Sequence, residues 1–148
     1  MEPAYAAPSG NKVACRALDV AQEHSDAIGG EVENMRAALQ SFVTGRGKMQ
    51  LTDNASIAAN RDVSDLRADE AAIGTKSFTD AVNALDSAVQ DMNQSVKGIY
   101  HMTTDDDGFP YVASAIPSPD TYGFVDRAGD MQLAVAAVLS QLRGSGCT

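Results

Sequence analysis

The stretch from Ser77 to Ile99, SFTDAVNALDSAVQDMNQSVKGI, decides how the chain is read. Its apolar residues Phe78, Val82, Leu85, Val89, Met92, Val96 and Ile99 step alternately by four and by three. On a helix that spacing lines them up along one narrow stripe. Ser77-x-x-Asp80 resembles a capping box and sets the expected start. Asp105-Asp106-Asp107-Gly108 sets the expected end, because acidic groups oppose the negative end of the helix dipole, and Pro110 stops what remains.

A second stripe precedes it. Between residues 12 and 44, Ala14, Leu18, Ala21, Ile28, Val32, Met35, Leu39 and Phe42 repeat the same spacing, with Ser25 in the one weak slot. Asn11 is a candidate N-cap. Gly29-Gly30 falls in mid-segment, but the stripe stays in phase across it, so one helix is expected, with a possible kink there. Thr44 to Lys48 reads as a turn. Residues 49–74 are Ala-rich and ambiguous: a short helix capped by Asn54 and ended by Gly74, with Ile57, Val63, Leu66 and Ile73 as its apolar positions. Residues 108–120 hold three prolines and read as an extended linker. A last helix over about 124–143 carries Phe124, Ala128, Met131, Val135, Val138 and Leu142, with Gly144 as its stop.

These elements predict an all-α fold: an antiparallel helical hairpin of two long helices plus a shorter C-terminal helix. The domain organisation follows as a flexible arm (1–10), the hairpin (11–107), a Pro-rich linker (108–123), and the C-terminal helix and tail (124–148). Met35, Leu39 and Phe42 are expected to meet Leu85, Val89 and Met92 along the hairpin seam, with 46–74 folding over one end. Met131, Val135 and Leu142 remain as the expected external contact.

Composition narrows the function. The 148 residues are 44% hydrophobic but only 5% aromatic, which suits narrow Ala-rich helix seams better than strands. A net charge of −9 disfavours nucleic acid and anionic membranes and leaves a basic protein partner open. The longest apolar run, Leu133 to Leu139, is too short for membrane insertion, and the acidic start lacks a Sec-type apolar core. The expected location is therefore cytoplasmic, within a particle, or secreted by a non-Sec route. Cys15 and Cys147 have no metal-site spacing; two free thiols is the favoured reading, and a disulfide tying the tail to the first helix is the alternative.

Reactive groups are scarce. His24 sits among Glu23 and Asp26 on a polar face, and His101 precedes Asp105 by four, too few ligands for a metal. Cys15 has no base in reach by pattern, no nucleophile elbow or phosphate loop occurs, and a calcium loop through Asp107-Gly108 would need carboxylates at Thr103 and Ser114. No catalytic residue, cofactor or metal is expected, and the chain reads as non-enzymatic.

Phe42-Val43-Thr44-Gly45 places an aromatic and a glycine at the turn, and Tyr100-His-Met-Thr-Thr-Asp105 closes the second long helix. With the paired stripes, residues 12–107 resemble the small helical-hairpin proteins of type VII secretion, the Trp-x-Gly superfamily. Their turn carries Trp-x-Gly and their export signal is Tyr-x-x-x-Asp/Glu; here the acid comes one residue later. The resemblance implies export and pairing, as an oligomer or with a partner protein, and it singles out Tyr100 and Asp105 as a binding signal. A structural subunit of a phage or other particle, and an acidic immunity protein binding a basic toxin, are the rival expectations.

Overall fold

The computed structural model describes residues 12–43, 49–103 and 119–148, apart from the side chains of 41–43, 49–51, 53, 98–103 and 119. Among these residues all regular structure is helical: α1 (Cys15–Val43), α2 (Met49–Ala68), the single turn α3 (Glu70–Ile73), α4 (Lys76–Thr103) and α5 (Pro119–Gly144). Four long helices therefore stand where two long and one shorter were expected.

They form a bundle in which α1 adjoins α2 and α5, and α4 adjoins α2 and α5. Each neighbouring pair is antiparallel. Cys15 meets Cys147 at one end of α1/α5 while Arg36 meets Asp126 further along. Asn60 meets Asn93 and Arg67 meets Asp86 between α2 and α4. Asp91 meets Arg127 and Ser95 meets Thr121 between α4 and α5.

This corrects the expected hairpin. The two strongest stripes, on α1 and α4, face each other across the bundle diagonal rather than packing backbone to backbone. Met35, Leu39, Leu85, Val89 and Met92 are all fully buried in the one shared core. Phe42 lies among the side chains outside the described set. Residues 49–68 do not fold over an end but form a full wall, with Ala55, Ala59, Val63 and Leu66 inward and Ile57 outward at 61% exposure. A wall of small residues suits this place, because alanines let α2 approach its neighbours closely.

Local signals explain the boundaries. Thr75, not Ser77, caps α4: its Oγ1 accepts from Phe78 N at 3.3 Å. Gly74 ends α3 with φ of 66°, a left-handed conformation that favours glycine. Ala14 is exposed, and Val13 takes the buried place at the start of α1. α1 runs unbroken through Gly29-Gly30.

Cys15 and Cys147 form a disulfide, Cα to Cα 5.0 Å apart, in place of the two free thiols favoured from the sequence. Two backbone bonds flank it, Cys15 N to Thr148 O at 2.9 Å and Thr148 N to Val13 O at 3.1 Å. The bridge closes a loop with a sequence separation of 132, so it removes much freedom from the unfolded chain. Replacing both cysteines with serine is expected to lower stability by about 2–5 kcal/mol, read from urea denaturation. The two mid-helix glycines give a second expectation. A methyl at Gly30 meets nothing within 4 Å, whereas one at Gly29 comes 3.2 Å from Gln132. Gly30→Ala should therefore raise stability by about 0.5–1 kcal/mol, and Gly29→Ala should gain less or lose, by the same measurement.

Candidate functional site

The most constructed part of the molecule is the seam between α1 and α5. Gln132 is buried on α5, and its amide donates to the Oγ of Ser25 at 3.0 Å and to the Ser25 carbonyl at 3.1 Å. Both partners are buried, so each satisfies a group that would otherwise be costly to remove from water. Gly29, one turn on from Ser25, makes room for the Gln132 side chain, while a methyl at Gly129 would meet Val32 at an ordinary contact distance of 3.6 Å.

Above this seam runs a groove of about 450 Å³. Gly29, Val32, Gly129 and Gln132 form its floor, and Glu33, Arg36, Asp126, Asp130 and Leu133 its rim. Arg36 donates to Asp126, and that hydrogen bond raises its pKa above the ordinary guanidinium range. Partial burial opposes the shift, and the negative charges of Asp126, Glu33 and Asp130 reinforce it. Leu133 is 63% exposed, one of two large apolar side chains so exposed among the described residues, the other being Ile57.

Two further grooves differ in character. One of about 460 Å³ between α1 and α2 is lined by Ala37, Ala38, Ala55 and Ala58 with Glu31, Asn34 and Asn54. One of about 510 Å³ between α2 and α4 is polar, with Arg67, Asn83, Asp86 and Gln90 among its walls.

The structure places the sequence-derived candidates as follows. Val135 is fully buried, and Met131 and Leu142 are partly buried against the core. Val135 is thus taken up inside the bundle, because α5 has two neighbours to satisfy, while Met131 and Leu142 lie at its edge. Tyr100 lies on the last turn of α4 with its side chain outside the described set, and Asp105 is outside the described residues altogether. His24 is not simply solvated: its Nδ1 lies 2.6 Å from Asp69 Oδ2, joining α1 to the α2–α3 turn. Among the described residues no three His, Cys, Asp or Glu gather as a metal site, and no helix is long and apolar enough to cross a membrane.

Sequence reasoning missed Leu133, Gln132 and the Ser25 partnership. The buried positions of α5 are Thr121, Val125, Ala128, Gln132, Val135 and Leu139, again by fours and threes. That row shares Ala128 and Val135 with the expected one but replaces Phe124, Met131 and Val138 by their next neighbours, and two polar members hid it. Ser25 was visible as the weak slot of the α1 stripe; a polar gap in one stripe opposite a polar gap in another was the signal available.

Compared with known proteins, the chain matches no family model, no curated sequence and no solved structure.

Gln132→Ala is expected to lower stability by about 1–3 kcal/mol, since it strips a buried hydroxyl of its partner and leaves a void. Ser25→Ala should cost less, because the Ser25 carbonyl still accepts. A double-mutant cycle in urea should show coupling between the two; strict additivity would mean that they act independently.

Proposed function

We propose that the protein is a non-enzymatic, secreted or secretion-associated helical protein that acts by pairing with a partner protein or with itself. The observation that carries this reading is the Cys15–Cys147 disulfide. Such bonds form and persist mainly in oxidising surroundings, outside the reducing cytosol. The bond joins the start of the first helix to the tail behind the last, where it restricts the unfolded chain. An exposed leucine beside an acidic groove, on a helix otherwise packed into the core, supports action by contact. Since α1 and α4 do not pair as a hairpin, what supports export by a non-Sec route is the Tyr100 to Asp105 sequence, which resembles the type VII signal with its acid one residue later.

Three measurements test this in the producing cell. The protein should appear outside the cytoplasm with both thiols blocked to alkylation. Tyr100→Ala should abolish its secretion while leaving the thermal midpoint unchanged. Light scattering after size exclusion should show a dimer or a stable complex with a co-secreted protein. A wholly cytoplasmic pool with free thiols would overturn the export reading; normal extracellular levels of Tyr100→Ala would remove Tyr100 from the signal.

A further inference from the structure

We infer that the α1/α5 groove receives a basic amphipathic helix of a partner protein, with Leu133 as the apolar anchor point. The inference rests on the reading above that the protein acts by pairing, and it names where and with what chemistry.

The groove's shape comes first. Its floor is made by the buried side chains of Val32 and Gln132, which fill the space beside Gly129 and Gly29, so an incoming side chain rests on them. Its lining spans Gly29 to Arg36 on α1 and Asp126 to Leu133 on α5, about two helical turns along each wall. That length suits a helix laid between two others, contributing one or two residues at i and i+3 or i+4. Leu133 stands at the rim at 63% exposure, although α5 has inward positions for its other large apolar residues.

The charge decides the occupant. Glu33, Asp126 and Asp130 face a single cation, Arg36, so three carboxylates against one guanidinium leave two negative charges over. Arg36 donates through Nη1 to Asp126 and its Nε lies 3.7 Å from Glu33, so its charge is already offset within the rim. A second copy of this chain would bring its own −9 to the contact, and a nucleic acid its phosphates; both meet like charge. A helix with Lys or Arg one turn to either side of a Leu or Met complements the rim and fills the floor.

The test uses the full oxidised protein and two fluorescein-labelled synthetic helices, one of leucine and lysine at amphipathic spacing and one with glutamate for lysine, read by fluorescence anisotropy. The lysine helix should bind, weakening with salt, and the glutamate helix should not. Leu133→Ser should weaken binding about tenfold or more, as expected for losing a buried leucine contact. Asp130→Lys should also weaken it severalfold. Two controls on exposed α2 positions, Asp65→Lys with the same charge change and Ile57→Ser with a like apolar loss, should stay within about twofold of the parent. Absence of lysine-helix binding, indifference to Leu133→Ser, or equal losses in the α2 controls would each overturn the groove assignment. So would a dimer in light scattering that dissociates on Leu133→Ser, since the occupant would then be a second copy. If pairing with a co-secreted protein persists in the Leu133→Ser protein, the groove assignment falls while the broader pairing reading stands. If neither pairing nor dimerisation is found in the parent protein, that reading fails independently of the peptide result.

Discussion

The packing of the last helix against the first is the constraint on which the rest of this molecule depends. α5 brings its buried row to a surface that α1 and α4 would otherwise leave open to water. The contact joins residues far apart in sequence, with Gln132 and Ser25 separated by 107 positions, so closing it costs chain entropy that local helix formation does not. Two devices offset that cost. The disulfide restricts the open chain in advance, and the Gln132–Ser25 pair rewards only one register of the two helices. A slide by one helical turn would bury the Gln132 amide against Ala21 or Gly29 and leave it without the hydroxyl. Apolar contacts alone tolerate such slides far better, so the polar pair selects the register while the apolar row supplies most of the driving force.

Ion pairs repeat the same register on the outside. Arg36–Asp126 and Arg143–Asp19 tie α1 to α5, Arg127–Asp91 ties α5 to α4, and Arg67–Asp86 ties α4 to α2. All involve at least one part-exposed group, so each contributes little to stability. With 11 basic against 20 acidic residues, each such pair takes one carboxylate with its arginine, so the surplus of negative charge that composition gives stays with the remaining acids. Glu33 and Asp130 beside the α1/α5 groove are part of that surplus.

The helical class, the α1 stripe and the α4 stripe were legible because Leu, Ile, Val, Met and Phe recur there without interruption. Even Ser25 kept its slot, and it is buried as its position required. The stripe alone could not say which helix sits beside which. A narrow apolar row is equally content with a neighbour or with the far wall of a bundle, and here α1 and α4 take the diagonal. α2 was under-read because alanine carries its inward face, and alanine is a weak hydrophobic signal although a good helix former. α5 was read correctly at Ala128 and Val135 but one residue early at Phe124, Met131 and Val138, because Thr121 and Gln132 hold inward positions, each with a partner on another helix that no single-segment pattern contains. The cysteine pairing was legible only as the second of two readings, because sequence separation is greatest where the bundle returns to its start.

Position in the fold links the disulfide to the groove. The same two helices that form the groove's walls are joined covalently near the start of α1 and the end of α5, and again by Gln132 midway. A recognition surface made between two helices is only as well defined as their spacing, since a shift of about 1 Å is enough to spoil close packing of an incoming side chain. Val32 and Gln132 in the floor make this dependence sharper, because close-packed buried side chains have little room to adjust to a misplaced partner. A covalent tie at one end and a buried amide in the middle fix the spacing before any partner arrives, which lowers the ordering cost of association. The stabilising chemistry and the proposed recognition surface therefore fall on the same pair of elements: the seam that joins the most distant parts of the chain carries both the disulfide and the Gln132–Ser25 bonds.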